Sequence, residues 1–252
     1  MRLLVTGTAG FVGTAAVEVL GREHWLRCVD IAPTPEPANG ESLVADLVSY
    51  AAAVAAVEDI EAVVHLAAVA GAAELFETPE LPMKSTVVAT ANLLEAARRA
   101  GIRRFVLMSS GAVITGYSRE TYIHVGLPHK FQGLYCLTKS LQENIAEQYA
   151  EEHGMTIPSL RPWSVVDGRT YRHRDGQPLD PGAPYYFGLV CRYDLAEACR
   201  LALTAPLEGF QPFHIMATAE GRRWFDVDHT ERLLGWRPTV DFADLARRTE
   251  NP

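Results

Sequence analysis

Short apolar runs alternate with longer amphipathic segments through roughly the first 160 residues of the chain. The runs Leu3–Val5, Ala62–Leu66 and Phe105–Ser109 have the length and composition of buried strands, and the segments between the runs have the apolar spacing of helices. Strands that alternate with helices are typical of a doubly wound parallel sheet. The pattern therefore predicts an α/β fold with a Rossmann-like parallel sheet.

Two long helices and a strand are predicted in the middle of the chain. The first helix is expected from residue 82 or 84 to residue 100, and the second over residues 135–153. A strand is expected over residues 156–160, stopped by Arg161 and Pro162.

The pattern changes after Asp167. The segment 167–188 is rich in Gly, Pro, Asp, Arg and Tyr and has no clear periodicity, and irregular segments of this length often have functions. Beyond it, the pattern predicts a helix near 193–204, a strand near 212–217 and a helix near 228–234.

The residues between the first predicted strand and the first predicted helix, Thr6–Gly13, read TGTAGFVG. Gly7 would allow a tight turn, Gly10 would let the backbone approach a ligand, and Gly13 would let the helix pack closely on the sheet. Because a helix N-terminus carries partial positive charge and unpaired N–H groups, this arrangement suits a pyrophosphate. The alternative is a glycine-rich turn in an α/β protein that binds no nucleotide.

An acidic residue follows at the distance that a dinucleotide site needs. Asp30 ends the second apolar run and lies seventeen residues after Gly13, where a carboxylate can accept hydrogen bonds from the adenosine ribose. The carboxylate would repel a 2′-phosphate, and no Arg or Lys occurs in the four residues after it, Ile31–Thr34. Asp30 therefore predicts NAD rather than NADP; the alternative is a solvated aspartate at a strand end.

The composition and charge of the chain indicate which binding partners and which cellular compartment to expect. Hydrophobic residues make up 48% of the 252 residues and charged residues 21%, as in a globular protein, and the formal net charge is −8. Without a basic block, nucleic acid and anionic membranes are poor partners. No run of 18 apolar residues and no signal-peptide pattern occurs, so we expect a cytoplasmic protein. The four cysteines and eight histidines show no ligand spacing, and no metal site is predicted.

Tyr135 and Lys139 are the candidate reactive pair. Their spacing of four residues in a predicted helix places both side chains on one face. A phenol titrates near 10, and a nearby ammonium together with an oxidised nicotinamide would lower that pKa. Tyr135 could then exchange a proton with a substrate oxygen, while Lys139 would also anchor the nicotinamide ribose. The alternative is an exposed pair on a surface helix.

These residues carry a resemblance to a known family. The chain resembles the extended short-chain dehydrogenases/reductases of the NAD-dependent epimerase/dehydratase group. The matching segments span nearly the whole chain and are Thr6–Gly13, Asp30, Asp46–Leu47, His65–Ala68, Tyr135–Lys139, Arg192–Ala196 and Leu234–Pro238.

The resemblance implies a set of residues for the site. Those expected to bind NAD are Gly7, Ala9, Gly10, Phe11, Val12, Gly13, Asp30, Ile31, Asp46, Leu47, Leu66, Ala67, Ala68, Met108, Ser109, Tyr135, Lys139, Pro162, Trp163 and Ser164. Those expected to bind the substrate include Val69, Ser110 and Gly111.

Three positions depart from the pattern of the group. The group usually has Ser or Thr after a pair of serines, to bond the reacting oxygen; here that residue is Gly111, and Ser110 is the candidate substitute, as in the similar loop of uronate dehydrogenases. The alternative is that Ser110 only ends a strand. Two expected Asn residues, in the middle helix and after the last inner strand, are Thr86 and Ser164.

The small C-terminal part of the chain predicts a small substrate. Nucleotide-sugar enzymes of the group usually have a larger C-terminal lobe, so a free sugar, a sugar acid or another small polar molecule is expected. Arg172 and Arg174 form a basic cluster with His173 and are candidates to bind its carboxylate or phosphate; the alternative is a solvated loop. We expect an NAD-binding domain over 1–165 and a substrate lobe over 166–252, interleaved with the last elements of the sheet.

The leading functional prediction is an NAD-dependent oxidoreductase that acts on a secondary alcohol or ketone carbon. Tyr135 would be the acid/base, Lys139 its electrostatic partner and Ser110 the donor to the reacting oxygen. The alternatives are a sugar epimerase or dehydratase, in which the cofactor is reduced only transiently, and a regulatory protein that binds NAD without turnover. Members of the group commonly pair through two long helices, which here are residues 84–100 and 135–153, so a homodimer is expected.

Overall fold

A computed structural model describes residues 1–69, 73–118, 120–180 and 186–244 of the chain. Its main feature is a seven-stranded sheet, parallel throughout, in the order β3-β2-β1-β4-β5-β6-β9. The strands of this sheet are β1 Arg2–Thr6, β2 Trp25–Asp30, β3 Gly40–Val44, β4 Ala62–His65, β5 Arg104–Met108, β6 Ile157–Pro162 and β9 Phe210–Ile215. A smaller parallel pair consists of β7 Ser164–Val166 and β8 Leu189–Cys191. The predicted Rossmann-like α/β fold is confirmed.

Helices cover both faces of the large sheet. The helices are α1 Phe11–Leu20, α2 Tyr50–Ala56, α3 Glu80–Pro82, α4 Ala89–Arg99, α5 Leu134–His153, α6 Arg192–Thr204, α7 Ala219–Trp224 and α8 Val227–Leu234. A π-helical segment, Met83–Val88, precedes α4, and short 3-10 turns lie at Ala73–Phe76, Gly111–Ile114, Tyr186–Gly188 and Phe242–Asp244.

The two faces of the sheet have separate cores because side chains alternate along each strand. In β1, Leu3 packs in a core with residues of α1 and α6, whereas Leu4 packs with residues of α2, α4 and α5 on the opposite face. Both side chains are fully buried. Burial on two faces explains why the inner strands are continuous apolar runs rather than alternating ones.

Several predicted elements differ in their bounds; the strand expected near 212–217, for example, is β9 Phe210–Ile215. The helix expected from residue 82 or 84 to residue 100 ends at Arg99, with Ala100 as its C-cap, and its first turns are the π-helical segment Met83–Val88. The strand expected to stop at Leu160 continues to Pro162, which is a correction. Arg161 and Pro162 pair in register with residues of β9, and a proline is tolerated as the last residue of a strand.

The C-terminal part of the chain completes the large sheet. Strand β9 pairs with β6, and α6 packs against α1 on one face. The motif at the start of α6 meets the C-terminal motif, because Trp236 Nε1 donates to the carbonyl oxygen of Asp194 at 2.8 Å and the Asp194 carboxylate accepts from Thr239. The last sheet elements thus come from residues after 165, and the domain boundary at 165 stays a prediction.

The irregular segment 167–188 is described up to residue 180 and again from residue 186. Its first part folds back on itself, with antiparallel bridges that join Arg172 to Asp167 and to Pro178. Leu179 packs in a small separate core with Val166 and Phe242. This segment is therefore anchored beside β7, next to the end of β6.

Candidate active site

Two adjoining cavities lie at the carboxyl edge of the large sheet, where parallel sheets bind ligands. The first, which we call the reactive cleft, has a volume of about 290 Å³ and is lined by residues that include Tyr135, Lys139 and Ser110. The second, the Asp30 cavity, has a volume of about 490 Å³. Both are lined by Gly7, Gly10, Leu66 and Ala68, so they form one continuous groove.

Nearly all the residues expected to bind NAD line this groove. In the reactive cleft are Gly7, Gly10, Phe11, Val12, Gly13, Leu66, Ala68, Met108, Ser109, Tyr135, Lys139, Pro162 and Trp163. In the Asp30 cavity are Ala9, Asp30, Ile31, Asp46, Leu47 and Ala67. Ser164 lies outside both and lines a small neighbouring cavity with Arg174.

The backbone of the glycine loop packs so closely against its surroundings that side chains would clash there. Gly7 has a φ of +75°, and a Cβ on it would lie 2.7 Å from the backbone nitrogen of Ala67. A Cβ on Gly13 would lie 2.0 Å from the carbonyl oxygen of Gly7. Gly10 is the N-cap of α1 and offers no side chain to cap its first N–H groups. The start of α1 is therefore a close-fitting, electropositive cradle that suits a pyrophosphate.

The Asp30 carboxylate is fixed by the backbone around it. Its Oδ2 accepts from the Ala9 N–H at 2.9 Å and its Oδ1 from the Ala32 N–H at 3.0 Å. The described residues that line this cavity include Asp46 but neither Arg nor Lys. The carboxylate can accept hydrogen bonds from a ribose diol, and without a neighbouring Arg or Lys it would repel a 2′-phosphate.

Tyr135 lies in the first turn of α5 and lines the reactive cleft. Ser110 lines the same cleft, and the Tyr135 ring packs edge-on against Phe76 at 5.4 Å between centroids. Burial raises the pKa of Tyr135, while the nearby Ser110 hydroxyl and the charge of Arg174 act to lower it. The net direction is upward, opposite to the expected effect of Lys139, because desolvation of the phenol is the largest contribution.

Lys139 is buried, and its ammonium bonds to groups other than Tyr135. Its Nζ donates to the carbonyl oxygen of Met108 at 2.9 Å and to Oε1 of Gln142 at 3.0 Å. Burial lowers the pKa of Lys139 to about 8, partly offset by the negative charge of Glu143. The ammonium is thus held at the end of β5, directly beneath the cleft.

Glu143 is the centre of a buried cluster under the cleft. Arg161 Nε and Nη2 donate to its two carboxylate oxygens at 2.9 and 2.6 Å, and Ser159 and His129 complete its contacts. Burial acts to raise the pKa of Glu143, but the hydrogen bonds and charge of Arg161 outweigh it and keep the carboxyl ionised. This bidentate pair fixes α5 to β6 and was not anticipated from the sequence.

Trp163 explains the missing side chain at Gly111. A Cβ on Gly111 would lie 2.5 Å from Cε3 of Trp163, and a Cβ on Gly188 would lie 2.6 Å from its Cβ. The indole ring also packs against Phe187 and Phe225, with centroids 5.0 and 5.7 Å away. Gly111 therefore contributes space for Trp163, and of the two adjacent positions only Ser110 offers a hydroxyl to the cleft.

The residues expected to bind the substrate are not all brought together. Ser110 and Arg174 line the reactive cleft, but Val69 lines the Asp30 cavity, and its N–H donates to Thr86 Oγ1 at 3.3 Å. Arg172 lines neither; its guanidinium donates to the carbonyl oxygen of Gly176 within the irregular segment. Among the described residues, Arg174 has no hydrogen bond or ion pair.

Several lining residues were missed by sequence reasoning. Val165 and Leu195 line the reactive cleft, and Val29, Ala32, Leu75, Leu81, Ser85 and Ala89 line the Asp30 cavity. They are apolar or small residues; Leu195 lies within the matching segment Arg192–Ala196, and the others belong to no motif. Within the described ranges there is no group of three or more His, Cys, Asp or Glu that could hold a metal, and no helix long and apolar enough to cross a membrane.

The parallel sheet, the glycine loop at its carboxyl edge and the helix with Tyr135 and Lys139 define the class of short-chain dehydrogenases/reductases. A model of the NAD dependent epimerase/dehydratase family matches residues 3–177. The chain belongs to this family, and the family resemblance and NAD predicted from the sequence are confirmed.

Curated relatives include two kinds of dehydrogenase. The chain is 36% identical over 183 residues to a 3 beta-hydroxysteroid dehydrogenase/Delta 5-->4-isomerase of Mycobacterium tuberculosis, a match that covers 68% of this chain and 50% of the relative. It is 30% identical over 251 residues to a uronate dehydrogenase of Agrobacterium fabrum, covering 98% of this chain and 87% of the relative. The chain thus spans about half the length of the hydroxysteroid relative.

Solved structures resemble the fold over its full length. The crystal structure of uronate dehydrogenase from Agrobacterium tumefaciens has a TM-score of 0.82 at 28% identity, covering 100% of this chain and 89% of that one. A mutant of the same enzyme, with the same TM-score, was solved in complex with NAD.

Proposed function

We propose that this chain is an NAD-dependent dehydrogenase that oxidises a secondary alcohol or hemiacetal carbon of a small sugar or sugar acid. The observation that carries the proposal is the convergence of Tyr135, Ser110 and Arg174 in one cleft that opens onto the glycine loop. The site provides a proton-transfer group, a hydroxyl for the reacting oxygen and a cation for the substrate.

Each side chain has a defined task in this proposal. Tyr135 would take the proton from the substrate hydroxyl, and Ser110, which lines the same cleft, would donate a hydrogen bond to the substrate oxygen. Lys139 would place positive charge beneath the phenol and bind a ribose hydroxyl. NAD, when bound, supplies the hydride acceptor and a positive charge that offsets the effect of burial on the pKa of Tyr135. Phe76, Trp163 and Leu195 would restrict water at the reacting carbon.

Arg174 supports an acidic substrate. It lies near enough to Tyr135 to lower the pKa of the phenol, so its charge acts at the position where a substrate would react. A guanidinium binds a carboxylate through two parallel hydrogen bonds. The likeness to uronate dehydrogenases, which extends over nearly the whole chain, agrees with a sugar acid in this position.

An apolar alcohol is a second candidate substrate, favoured by a specific feature. A cavity of about 330 Å³ adjoins the reactive cleft across Trp163 and is lined by aromatic residues that include Tyr117, Phe187, Trp224 and Phe225. Apolar ligands bind in such surroundings, and the hydroxysteroid dehydrogenase is among the relatives.

The decisive experiment is a substrate panel read by NADH absorbance with the purified chain. We expect NADH to accumulate with a uronate more than with neutral aldoses or a 3β-hydroxysteroid. An epimerase or dehydratase would convert the sugar without net NADH, and a regulatory protein would bind NAD and convert nothing.

Tyr135→Phe tests the assignment of the chemistry. We expect kcat to fall by about 100-fold or more, the effect of losing a general acid/base, with the Kd for NAD changed little. The NAD titration is the control for folding and cofactor binding. Unchanged turnover in Tyr135→Phe would show that the catalytic assignment is wrong.

We further infer a homodimer and a cytoplasmic location. The helices predicted to form the dimer correspond to α4 and α5, and the large apolar side chains of Val88 and Leu137, before α4 and within α5, are exposed. Light scattering on a size-exclusion column tests the dimer, and Leu137→Glu is expected to dissociate it. The four cysteines are free thiols, which is typical of a reducing compartment.

A further inference from the structure

A buried chain of hydrogen bonds runs from Lys139 to the end of β1. Lys139 Nζ donates to Gln142 Oε1 at 3.0 Å, and Gln142 Nε2 donates to Thr90 Oγ1 at 2.8 Å. His65 joins the same hydroxyl through Nε2 at 2.9 Å and reaches Thr6 Oγ1 through Nδ1 at 2.7 Å. All five side chains are buried.

The donor and the acceptor of each hydrogen bond in this series can be assigned. Thr90 Oγ1 lies 2.6 Å from the carbonyl oxygen of Thr86, which can only accept, so the single hydroxyl proton of Thr90 is used there. Gln142 and His65 must then both donate to Thr90 Oγ1. His65 is therefore the neutral tautomer with its proton on Nε2, in agreement with its pKa, which burial and the charge of Lys139 lower to about 3.

The orientation of the Gln142 amide is fixed for the same reason. Its nitrogen faces Thr90, which has no proton left to donate, and its oxygen faces the ammonium of Lys139, which only donates. The flipped amide would place N–H groups against an ammonium and leave an oxygen without a donor in a buried site, where an unpaired polar group is unfavourable. The network therefore allows one orientation of the Gln142 amide and one tautomer of His65.

We propose that Gln142 is a positioning residue for Lys139. The amide oxygen of Gln142 holds the ammonium at the reactive cleft, and its amide nitrogen links that ammonium to α4 and β4 through Thr90 and His65. The inference rests on the proposed function, in which Lys139 acts on Tyr135 and the ribose. Thr86, which stands where the family resemblance places an Asn, contributes only its carbonyl oxygen to this network.

Because Lys139 has few hydrogen-bond acceptors, replacing Gln142 should change the pKa of its ammonium measurably. The ammonium has two hydrogen-bond partners among the described residues, the backbone oxygen of Met108 and the amide oxygen of Gln142. The ionisable groups that face it are Glu143 on α5, already paired with Arg161 on β6, neutral His65 on β4, and Tyr135 one turn earlier. Removing the Gln142 oxygen thus removes a side-chain acceptor that stabilises the charged form of Lys139.

The chain contains only three lysines, Lys84, Lys130 and Lys139, so the ammonium can be titrated directly. In a Lys84→Arg, Lys130→Arg background, lysine labelled with ¹³C at Cε gives one NMR signal, from Lys139. We expect Gln142→Leu to lower its titration midpoint by about one pH unit and Gln142→Glu to raise it, because the first removes an acceptor and the second adds a negative charge. The measurement needs neither cofactor nor turnover.

Gln148→Leu is the matched control, because Gln148 is an exposed glutamine on the same helix that bonds only to Glu152 among the described residues. It should leave the midpoint unchanged. If Gln142→Leu fails to fold, the direction in which Gln142→Glu shifts the Lys139 titration midpoint tests the proposal. Folded Gln142 variants whose midpoint matches the parent overturn the proposal, even where thermal stability falls.

Kinetics separate this inference from the proposed function. We expect Gln142→Leu to lower kcat about tenfold and to move the pH dependence of kcat in the same direction as the NMR midpoint. If Tyr135→Phe keeps full turnover, the proposed function fails while the NMR result stands. If Tyr135→Phe abolishes turnover and the Gln142 variants move neither the midpoint nor the pH profile, only the role of Gln142 fails.

Discussion

The indole of Trp163 occupies the space beside Gly111, where a methyl group would lie 2.5 Å from Cε3 and 3.1 Å from Cζ3 of the ring. Gly111 is not among the glycines with positive φ, so its backbone would accept another residue and space alone constrains it. A hydroxyl-bearing side chain at 111 and an indole at 163 therefore exclude one another. The indole, which directly follows β6, occupies that space, and Ser110 in the loop after β5 is the hydroxyl that we propose for the reacting oxygen.

This exclusion predicts a strong coupling between the two positions. Gly111→Ser should destabilise the fold by about 1–3 kcal/mol, as overpacking of a close-packed site does. In the presence of Trp163→Ala, the same serine should cost much less, so the double mutant should be more stable than the sum of the two single effects by about 1 kcal/mol or more. Urea denaturation of the four proteins measures this difference, and additive effects would contradict the packing argument.

Asp30 should set the choice between NAD and NADP through its charge. Asp30→Asn keeps an oxygen that can accept from the Ala9 N–H but removes the negative charge. We expect the ratio of kcat/KM for NAD to kcat/KM for NADP to fall by about tenfold or more, because like charges placed together cost several kcal/mol. A thermal melt without cofactor is the control for folding. A ratio that stays the same would show that Asp30 does not discriminate.

The sequence predicted the parts of the site whose signals are local. The turn from β1 through Gly7 to α1, the acid at the end of β2 and the spacing of Tyr135 and Lys139 each lie within one or two adjacent elements, and helix and strand periodicity place them. The bounds of α5 differ from the prediction by one residue at its start.

The missed features depend on contacts between distant parts of the chain. Strands β7 and β8 have three residues each, too few for a periodic pattern, and pair Ser164 with Leu189 across the irregular segment. Gly111 and Trp163 are 52 residues apart in the sequence. The steric conflict between a side chain at position 111 and the indole therefore cannot be read from the sequence around either residue. The upward direction of the pKa of Tyr135 follows from burial, which depends on the packed fold.

Arg174 should act on the charge of the substrate. Arg174→Ala is expected to raise KM for a uronate by about tenfold or more, the effect of losing one charged hydrogen-bonded contact, with little change for the corresponding neutral aldose. Arg172→Ala provides the matched comparison, since Arg172 is a neighbouring arginine whose guanidinium bonds to Gly176 instead of lining the cleft. Equal effects of Arg174→Ala on the acidic and neutral substrates, or equal effects of the two replacements, would exclude this role.

His214 should make the fold sensitive to acid. It is fully buried in β9, and neither ring nitrogen has a hydrogen-bond partner among the described residues. Burial, and then the charge of Arg161, lower the pKa of His214 from 6.5 to about 3, against the opposing charge of Glu143. Between these two pH values the unfolded chain binds a proton that the folded chain does not, so the free energy of unfolding must fall as the pH falls through this range.

The contribution of His214 can be isolated by substitution. One such histidine lowers the free energy of unfolding by up to about 1.4 kcal/mol for each pH unit of acidification. His214→Leu should reduce the slope of stability against pH in this range and leave the slope due to the second buried histidine, His65. Urea denaturation at a series of pH values across this range measures the slope for the parent and for each variant. His153→Leu is the control, because His153 is partly exposed. If His214→Leu has the same acid dependence as the parent, His214 is not a neutral buried base in the folded state.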